Sequence, residues 1–359
     1  MKSRNMLRHW FMLILWLSAL PLATAQKYTV RDLGALRGGS AVPRSVNLSG
    51  VVVGRSGKPH GEGTGAFVWD AGRGIRALGS LPGGDYSAAF AINNAGQVVG
   101  YSNTSNHLLG FLWSASSGLA PLPPLAGDDS SLAFGVNTSG EVAGNSSGSG
   151  GVHAVVWKNG EPQNLGTLPG DAFSEAYGIN ASGQVVGKSS SKKGDHAFLW
   201  SSGVMTDLGV LPNQSSAVAQ FVNDAGQVVG SSNGPQGTLA FIWDSSNGMQ
   251  DLGTLPGGDY SQANGINRTG VVVGASGNVL STRAFIWDAT NGMQDLNGLI
   301  SQNSGIILAG ATAINDRGQI VAYGGTGHDL SHDRIVQLDH EGHAGPLHVF
   351  LLSPVGSKP

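Results

Sequence analysis

The stretch INASGQVVG, residues Ile179–Gly187, belongs to a pattern that occurs seven times and sets the fold of the chain. Each copy has an Asn preceded by Ile or Val, a Gly three residues later, and then a strand-like run such as QVVG or VVVG. The Asn side chain can bond the backbone two residues further on, and the Gly suits a left-handed position that closes a short hairpin. The pattern therefore predicts seven tight turns, at Asn47, Asn93, Asn137, Asn180, Asn223, Asn267 and Asn315.

A second pattern, represented by HAFLW at His196–Trp200, also recurs along the chain. The six Trp residues after residue 25 are 43 or 44 residues apart, and each ends a short apolar run. A run without polar alternation is typical of a strand that is buried on both faces. We therefore expect all of these Trp side chains to be buried between neighbouring sheets: Trp69, Trp113, Trp157, Trp200, Trp243 and Trp287.

The heptapeptide LPGGDYS occurs at both Leu81–Ser87 and Leu255–Ser261 because one loop returns in two repeats. Three intermediate repeats contain LAGDDSS, LPGDAFS and LPNQSSA, and in all five the Pro position precedes the next Asn by 11 residues. A loop of constant length indicates a constant geometry. Each repeat of 43 or 44 residues thus contains four short β-type runs bounded by Gly, Asn, Asp or Ser, with no sustained helical period.

Four-stranded repeats of this length predict an all-β, seven-bladed β-propeller with very little helix. The chain opens with a lone strand-like run, YTVRDLG at Tyr28–Gly34, and its last repeat has three such runs but no fourth. If the opening strand completes the last blade, two sheet edges that favour aggregation disappear together. An open β-solenoid, which would need polar capping units, is the alternative.

The first residues indicate export. Lys2, Arg4 and Arg8 precede an apolar stretch, Trp10–Leu20, and ATA at residues 23–25 matches a signal-peptidase pattern. The apolar stretch is short for a membrane span, although a retained anchor is the alternative. We expect a signal peptide at residues 1–25, one propeller domain at residues 26–354 with a His-rich insertion at about residues 325–346, and a tail at residues 355–359.

Composition restricts the classes of partner. Loss of the three basic residues of the signal peptide would take the formal net charge from −3 to −6, which disfavours nucleic-acid binding. No second apolar segment approaches twenty residues, so we expect no membrane span after cleavage. The chain contains no Cys, so its stability must come from a core rather than from disulfides. We predict a secreted or periplasmic protein with an extracellular or periplasmic ligand, carbohydrate or protein.

The repeated motifs resemble those of the HAF-repeat family of bacterial extracellular repeat proteins. The resemblance rests on HAFLW (His196–Trp200), HAVVW (His153–Trp157), INASGQVVG (Ile179–Gly187), MQDLG (Met249–Gly253) and DLGTLPGGDYS (Asp251–Ser261), and it covers essentially all of the chain after residue 25. It departs in repeat seven, where Leu352 replaces Trp and Ala322 replaces Gly, and most copies lack the His. The resemblance implies an exported bacterial protein and no particular activity.

The recurring loops supply the first candidate site. In a propeller all of them would lie on one face, where they would present carboxylates beside aromatic rings: Asp85, Tyr86, Asp129, Phe173, Asp259 and Tyr260. That combination suits sugar binding, because the ring stacks on the sugar and the carboxylate accepts hydrogen bonds from its hydroxyls. The alternative is that Asp and Gly form the turn and the aromatic side chain covers a blade edge.

The insertion in repeat seven supplies the second candidate site and the only cofactor candidate, a divalent metal. The stretch from Gly327 to Phe350, which includes the insertion, holds half of the His residues of the chain, and the candidate ligands among them are His328, His332, His340 and His343. Imidazole and carboxylate groups suit Zn²⁺ or a similar ion, but the spacing is not the H-E-x-x-H of zinc proteases. A solvated loop is the alternative.

The sequence offers little for catalysis. It has no phosphate-binding glycine loop and no Cys nucleophile. We therefore predict a binding or surface-interaction module, with a glycan as one candidate ligand. A carbohydrate-active enzyme that uses the propeller face, and a structural protein of the envelope or matrix, are the alternatives. Clustered carboxylates at the channel mouth would favour a glycosidase, whereas an aromatic-lined and carboxylate-poor surface would favour binding.

Overall fold

The structure is a computed structural model that describes residues 26–35, 40–57, 64–235, 237–326 and 347–356. These residues form seven antiparallel sheets of four strands each, and together the sheets make a seven-bladed β-propeller. Helical structure in the described ranges is restricted to two 3-10 turns, Leu296–Leu299 and Gln302–Ser304. The predicted fold class is therefore confirmed.

The strands are numbered in chain order, and each of the first six blades uses four consecutive strands. The opening strand is β1 (Tyr28–Asp32). Blade 1 contains β2 (Ala41–Val46), β3 (Val52–Gly57), β4 (Thr64–Asp70) and β5 (Gly74–Gly79). Blade 2 contains β6 (Ser87–Ile92), β7 (Val98–Asn103), β8 (Leu108–Ser114) and β9 (Gly118–Leu122). Blade 3 contains β10 (Ser130–Val136), β11 (Val142–Gly148), β12 (Gly151–Lys158) and β13 (Glu161–Asn164).

The remaining blades follow the same order, with the first strand of each blade innermost. Blade 4 contains β14 (Phe173–Ile179), β15 (Val185–Ser191), β16 (Gly194–Ser201) and β17 (Val204–Asp207). Blade 5 contains β18 (Ser216–Val222), β19 (Val228–Gly234), β20 (Gly237–Asp244) and β21 (Gly248–Asp251). Blade 6 contains β22 (Tyr260–Ile266), β23 (Val272–Asn278), β24 (Ser281–Asp288) and β25 (Gly292–Asp295). Blade 7 contains β26 (Ile306–Ile314), β27 (Ile320–Thr326), β28 (His348–Pro354) and, as its outer strand, β1.

The seam in blade 7 closes the ring. Strand β1 pairs antiparallel with β28 over five residues, from Tyr28 opposite Pro354 to Asp32 opposite Phe350. A side-chain contact of 2.7 Å between His348 Nδ1 and Asp32 Oδ2 lies across the same seam. The opening strand thus completes the last blade as predicted, and the closed ring excludes the open solenoid.

The Asn turns hold neighbouring blades together as well as forming hairpins. Each Asn Oδ1 accepts the backbone N–H two residues later, as in Asn180 with Ser182 at 3.2 Å, and the following Gly has a positive φ between 74° and 83°. The Asn Nδ2 donates to the backbone carbonyl of the corresponding Asn in the next blade, at 2.8–3.3 Å, in blades 1 to 5 and 7. The bond from Asn315 to Asn47 crosses from blade 7 to blade 1. We call this set the Asn ring.

The centre of each blade is built around the Phe of the AFLW strand more than around its Trp. Phe67, Phe111, Phe198, Phe241 and Phe285 are fully buried at the corresponding position of their blades. The predicted burial of every Trp is wrong for three of the six. Trp69, Trp157 and Trp200 are buried, whereas Trp113, Trp243 and Trp287 are half-buried. The Trp is the penultimate residue of its strand, near the turn to the outer strand, so neighbouring side chains cover it to different extents.

The heptapeptide loop owes its constant length to hydrogen bonds at both ends. Ser87, which is 1% exposed, accepts the backbone N–H of Ala66 and donates to the carbonyl of Gly79, both in the preceding blade. At the other end, Ser102 Oγ accepts the backbone N–H of buried Leu81 at 2.9 Å. The Ser–Leu contact repeats in blades 3 to 6, so the length of this loop follows from blade packing.

No helix in the part of the chain that the structure describes is long and apolar enough to cross a membrane.

Candidate functional site

The inner strand of every blade carries a β-bulge three residues before its Asn. The pairing with the second strand shifts at this point in all seven sheets, which leaves one extra residue on the inner strand. Bulges of this kind redirect a side chain and are common beside functional sites. Here the extra residues line one cavity on the propeller axis, and we call them the bulge ring: Arg44, Phe90, Phe134, Tyr177, Gln220, Asn264 and Thr312.

The bulges also account for the Gly of the VVG run. In blade 2, a Cβ added at Gly100 would overlap the carbonyl oxygen of Ala88 on the inner strand, one residue before the bulge begins. Gly144, Gly187 and Gly230 meet the same obstruction in the next three blades. Blade 7 has Ala322 at this position, and its inner strand carries a second register shift.

The cavity has a volume of about 470 Å³, and its lining extends along the inner strands from the bulges toward the end of the propeller where the heptapeptide loops lie. We call this end the loop end, and the end with the Asn turns the turn end. A smaller space of about 200 Å³ at the turn end is lined by the Asn turns and by the Ile or Val residues that precede them. Along each inner strand, this Ile or Val and the residue before it lie between the bulged residue and the Asn.

One side of the cavity is aromatic. Phe90 and Phe134 pack edge to face with centroids 5.0 Å apart, and Phe134 contacts Tyr177 in the same way at 5.6 Å. The cluster continues toward the loop end, because Tyr101 lies 5.5 Å from Phe90 and Tyr86 lies 6.3 Å from Tyr101. Three consecutive blades therefore present a continuous aromatic wall, which we call the aromatic arc.

The opposite side of the cavity is polar. Gln220, Gln262, Asn264 and Thr312 belong to blades 5 to 7 and line it with amide and hydroxyl groups; we call them the amide arc. Asn264 Nδ2 donates to the carbonyl of Ala311 at 3.0 Å, which fixes that amide. The side-chain amides of Gln220 and Gln262 have no hydrogen-bond partner among the described residues. They are therefore available to a ligand.

A charged network supports the aromatic arc from behind. Glu175 accepts a hydrogen bond from the Tyr177 hydroxyl at 2.9 Å and lies 3.2 Å from the Lys188 ammonium group, which also contacts Asp195. Burial, together with the negative charge of Glu175, raises the pKa of Tyr177 far above its ordinary value. Burial alone would lower the pKa of Lys188, but Glu175 and Asp195 outweigh it and raise that pKa. Both groups therefore stay protonated at neutral pH, and Tyr177 is held in one orientation.

Of the six loop residues predicted from the sequence, Tyr86 is the one that joins the aromatic contacts of the cavity. Burial raises the pKa of Tyr86. Its neighbour Asp85 is exposed and accepts a hydrogen bond from Asn103 Nδ2 at 2.7 Å, while Asn103 Oδ1 accepts the backbone N–H groups of both loop residues. Asp85 thus stabilises the conformation of the loop.

The other four predicted residues lie on the same end of the propeller, in contacts of their own. Asp129 is exposed and accepts a hydrogen bond from Ser130 Oγ at 2.9 Å. Phe173 is 44% exposed and its ring lies over the position that a side chain at residue 151 would occupy. Asp259 donates its backbone N–H to Gly277, and the Tyr260 hydroxyl is 2.5 Å from Thr282 Oγ1. A ligand role for these six residues stays a prediction.

The predicted metal ligands His328, His332, His340 and His343 lie outside the described residues. Within the described ranges, no group of three or more His, Cys, Asp or Glu side chains is arranged to hold a metal ion.

The sequence analysis missed the bulge ring, although the repeats contain a signal for it. The residue three positions before each Asn is Arg, Phe, Tyr, Gln, Asn or Thr, while the residue before it is Ala in six of the seven repeats and the residue before the Asn is always Ile or Val. Such variation between conserved neighbours is typical of a side chain that the repeat does not need for its own packing. The residues that the repeats share predict the fold, whereas this varying position forms no motif of its own.

Comparisons with known proteins support the fold. No family model matches the chain, and no curated protein matches it. Virginiamycin B lyase from Staphylococcus aureus is similar in structure at 10% identity with a TM-score of 0.55, over 91% of this chain and 99% of that one. An oligogalacturonate lyase in complex with manganese gives 9% identity and a TM-score of 0.55, over 92% and 99%. The β-propeller domain of the Trilobed protease from Pyrococcus furiosus gives 11% and 0.50, over 72% and 81%. At these identities the similarity shows the propeller fold alone.

Proposed function

We propose that this protein is an exported HAF-repeat propeller that binds a carbohydrate in its central cavity. The export and the family rest on the first 25 residues and on the repeated motifs. The binding site rests on the structure, and it lies deeper than the loop face to which the sequence pointed.

The arrangement of the bulge ring carries this proposal. Aromatic residues occupy three adjacent blades, and amide or hydroxyl residues occupy the three blades across the cavity. An aromatic face packs against the C–H surface of a sugar ring, while side-chain amides exchange hydrogen bonds with its hydroxyls. A ligand between the two arcs would meet both kinds of contact at once.

The size and the chemical character of the cavity agree with a small ligand. A volume of about 470 Å³ lies within the range of about 300–1,000 Å³ that is usual for ligand pockets. None of the described residues that line the cavity is Asp or Glu. The aromatic and carboxylate-poor lining favours binding over the two-carboxylate chemistry of a glycosidase.

The test uses a glycan array followed by calorimetric titration of the purified chain from residue 26 onward. The Phe134→Ala variant removes the central ring of the aromatic arc and should weaken binding at least about tenfold, since stacking contacts contribute about 0.5–1.5 kcal/mol beyond area burial. Val204→Ala is the matched control, because Val204 is 65% exposed in blade 4 and does not line the cavity.

The possible results separate the two candidate sites. Loss of binding in Phe134→Ala with normal binding in Val204→Ala supports the cavity. Normal binding in Phe134→Ala, together with loss in a Phe173→Ala variant, would move the site to the loop face. Absence of binding to every glycan on the array would overturn the proposal.

A further inference from the structure

The charged groups that line the cavity have one sign. Among the described lining residues the only ionisable groups that are charged at neutral pH are the guanidinium groups of Arg44 and Arg55. Both belong to blade 1, where β2 and β3 pair with Val42 opposite Arg55. Positive charge is thus concentrated at one point of the wall, between the end of the aromatic arc and the beginning of blade 7.

The aromatic arc orients Arg44. Its guanidinium carbon lies 5.1 Å from the centroid of the Phe90 ring, which is within the distance for a cation–π contact. This contact places the guanidinium group of Arg44 where blade 1 meets the aromatic arc, beside the strand that carries Arg55.

Arg55 in blade 1 and Lys188 in blade 4 are equivalent residues with different surroundings. Both residues directly follow a VVG run, so they occupy the same position in blades 1 and 4. The Lys188 ammonium group is neutralised by Glu175 at 3.2 Å and Asp195 at 3.3 Å. Arg55 forms no ion pair with any described residue, although it lines the cavity. The same position therefore carries a cation with two acidic partners in blade 4 and, among the described residues, a cation without an acidic partner in blade 1.

We infer that the ligand of the cavity is an acidic carbohydrate, a sugar whose carboxylate is bound by Arg55 in blade 1 while its ring lies between the aromatic and amide arcs. This inference rests on the proposed function and names the class of its ligand. Arg55 is half-buried and has no ion-pair partner among the described residues, and a carboxylate would compensate its partly desolvated charge. Charge-assisted bidentate hydrogen bonds also discriminate strongly against a neutral analogue.

The experiment compares sugars that differ in a single group. The purified chain is titrated with pairs of short oligosaccharides of galactose and galacturonate, glucose and glucuronate, and mannose and mannuronate. In each pair a C6 carboxylate replaces a hydroxymethyl group. We expect at least one acidic member to bind about tenfold or more tightly than its neutral partner, as expected for hydrogen bonds to a charged group.

Two variants locate the preference. Arg55→Gln should reduce the affinity for the acidic sugar about tenfold and leave the affinity for the neutral partner unchanged. Arg55→Lys should retain part of the preference, because lysine keeps the positive charge but lacks the planar group that forms two parallel hydrogen bonds with a carboxylate. Arg73→Gln is the matched control, since Arg73 is exposed in the turn between β4 and β5 at the turn end.

The outcomes distinguish this inference from the proposed function. If neutral and acidic partners bind equally and both depend on Phe134, the carbohydrate site stands and the carboxylate inference fails. If Arg55→Gln weakens both partners equally, Arg55 has a structural role and the inference also fails. If no sugar of either kind binds, both proposals are overturned.

Discussion

The Asn ring and the bulge ring lie on the same seven inner strands, three residues apart, and they differ in how much their residues vary between blades. At about 3.3 Å per residue they are separated by roughly 10 Å along each strand. The Asn ring keeps one residue type in all seven blades, whereas the bulge ring has six residue types at seven positions. The physical difference is that each Asn bonds its own turn and six of the seven also bond the next blade, while each bulged side chain lines the cavity.

This comparison shows how a repeat protein separates its scaffold from its specificity. A position that joins neighbouring repeats must fit both of them, so one change would disturb two blades. A bulged position is outside the pairing ladder and can vary without affecting that ladder. A nearly symmetric propeller can therefore hold an asymmetric cavity. Here the cavity has an aromatic arc, an amide arc and two arginines in blade 1.

The largest expected effect comes from breaking the Asn ring. Asn180 is 3% exposed, its Oδ1 accepts from Ser182 and Gln184, and its Nδ2 donates to the carbonyl of Asn223. Asn180→Ala should lower the free energy of unfolding by about 3 kcal/mol, because several buried groups lose their partners. Urea denaturation measures the change, and a loss below about 1 kcal/mol would contradict a structural role for the ring.

A second prediction concerns Tyr177, the bulge-ring residue whose hydroxyl is bound by a half-buried charged network. The pKa of Tyr177 is raised above its ordinary value of 10.0 in the folded state, so this residue contributes stability that is fully present below pH 10 and is lost as the pH rises beyond it. At pH 11 the penalty should reach at most about 1.4 kcal/mol.

The measurement compares thermal unfolding of the wild type and Tyr177→Phe between pH 8 and pH 11. The variant lacks the titrating hydroxyl, so its melting temperature should fall less steeply than that of the wild type above pH 10. Parallel curves for the two proteins over this range would show that Tyr177 ionises equally in the folded and unfolded chains.

The turns of the Asn ring can also be tested through their glycines. Gly96 has a φ of +79°, and a Cβ added there would meet nothing within 4 Å. Gly96→Ala should therefore destabilise the protein by about 1 kcal/mol through backbone strain alone. A substitution without measurable cost would mean that this turn relaxes to another conformation.

The smallest effect on stability is expected in the bulge ring. Gln220 lines the cavity and its side chain has no hydrogen-bond partner among the described residues. Gln220→Ala should change the free energy of unfolding by less than about 0.5 kcal/mol, as is usual away from packing and buried polar contacts. A loss comparable to that of Asn180→Ala would remove the contrast between the two rings.

The sequence determined the architecture because the architecture depends on features that recur. Seven Asn–Gly turns, a period of 43 or 44 residues and an unpaired opening strand were enough to predict the seven blades and the closure by β1. Each of these features acts locally or between equivalent positions in adjacent repeats, so comparing the repeats with one another reveals it.

The tertiary structure alone decided where the cavity lies and what lines it. Arg44, Phe134 and Gln262 are distant in sequence, and no local pattern says that they face one space. Strand alternation by itself would have assigned the bulged residues to a blade face. The one-residue shift in pairing turns them toward the axis, and that shift depends on the contacts of the inner strand with its partner in the folded blade. The repeats specify a ring from local turns and strand lengths, whereas the chemistry at its centre exists only once the seven strands have converged.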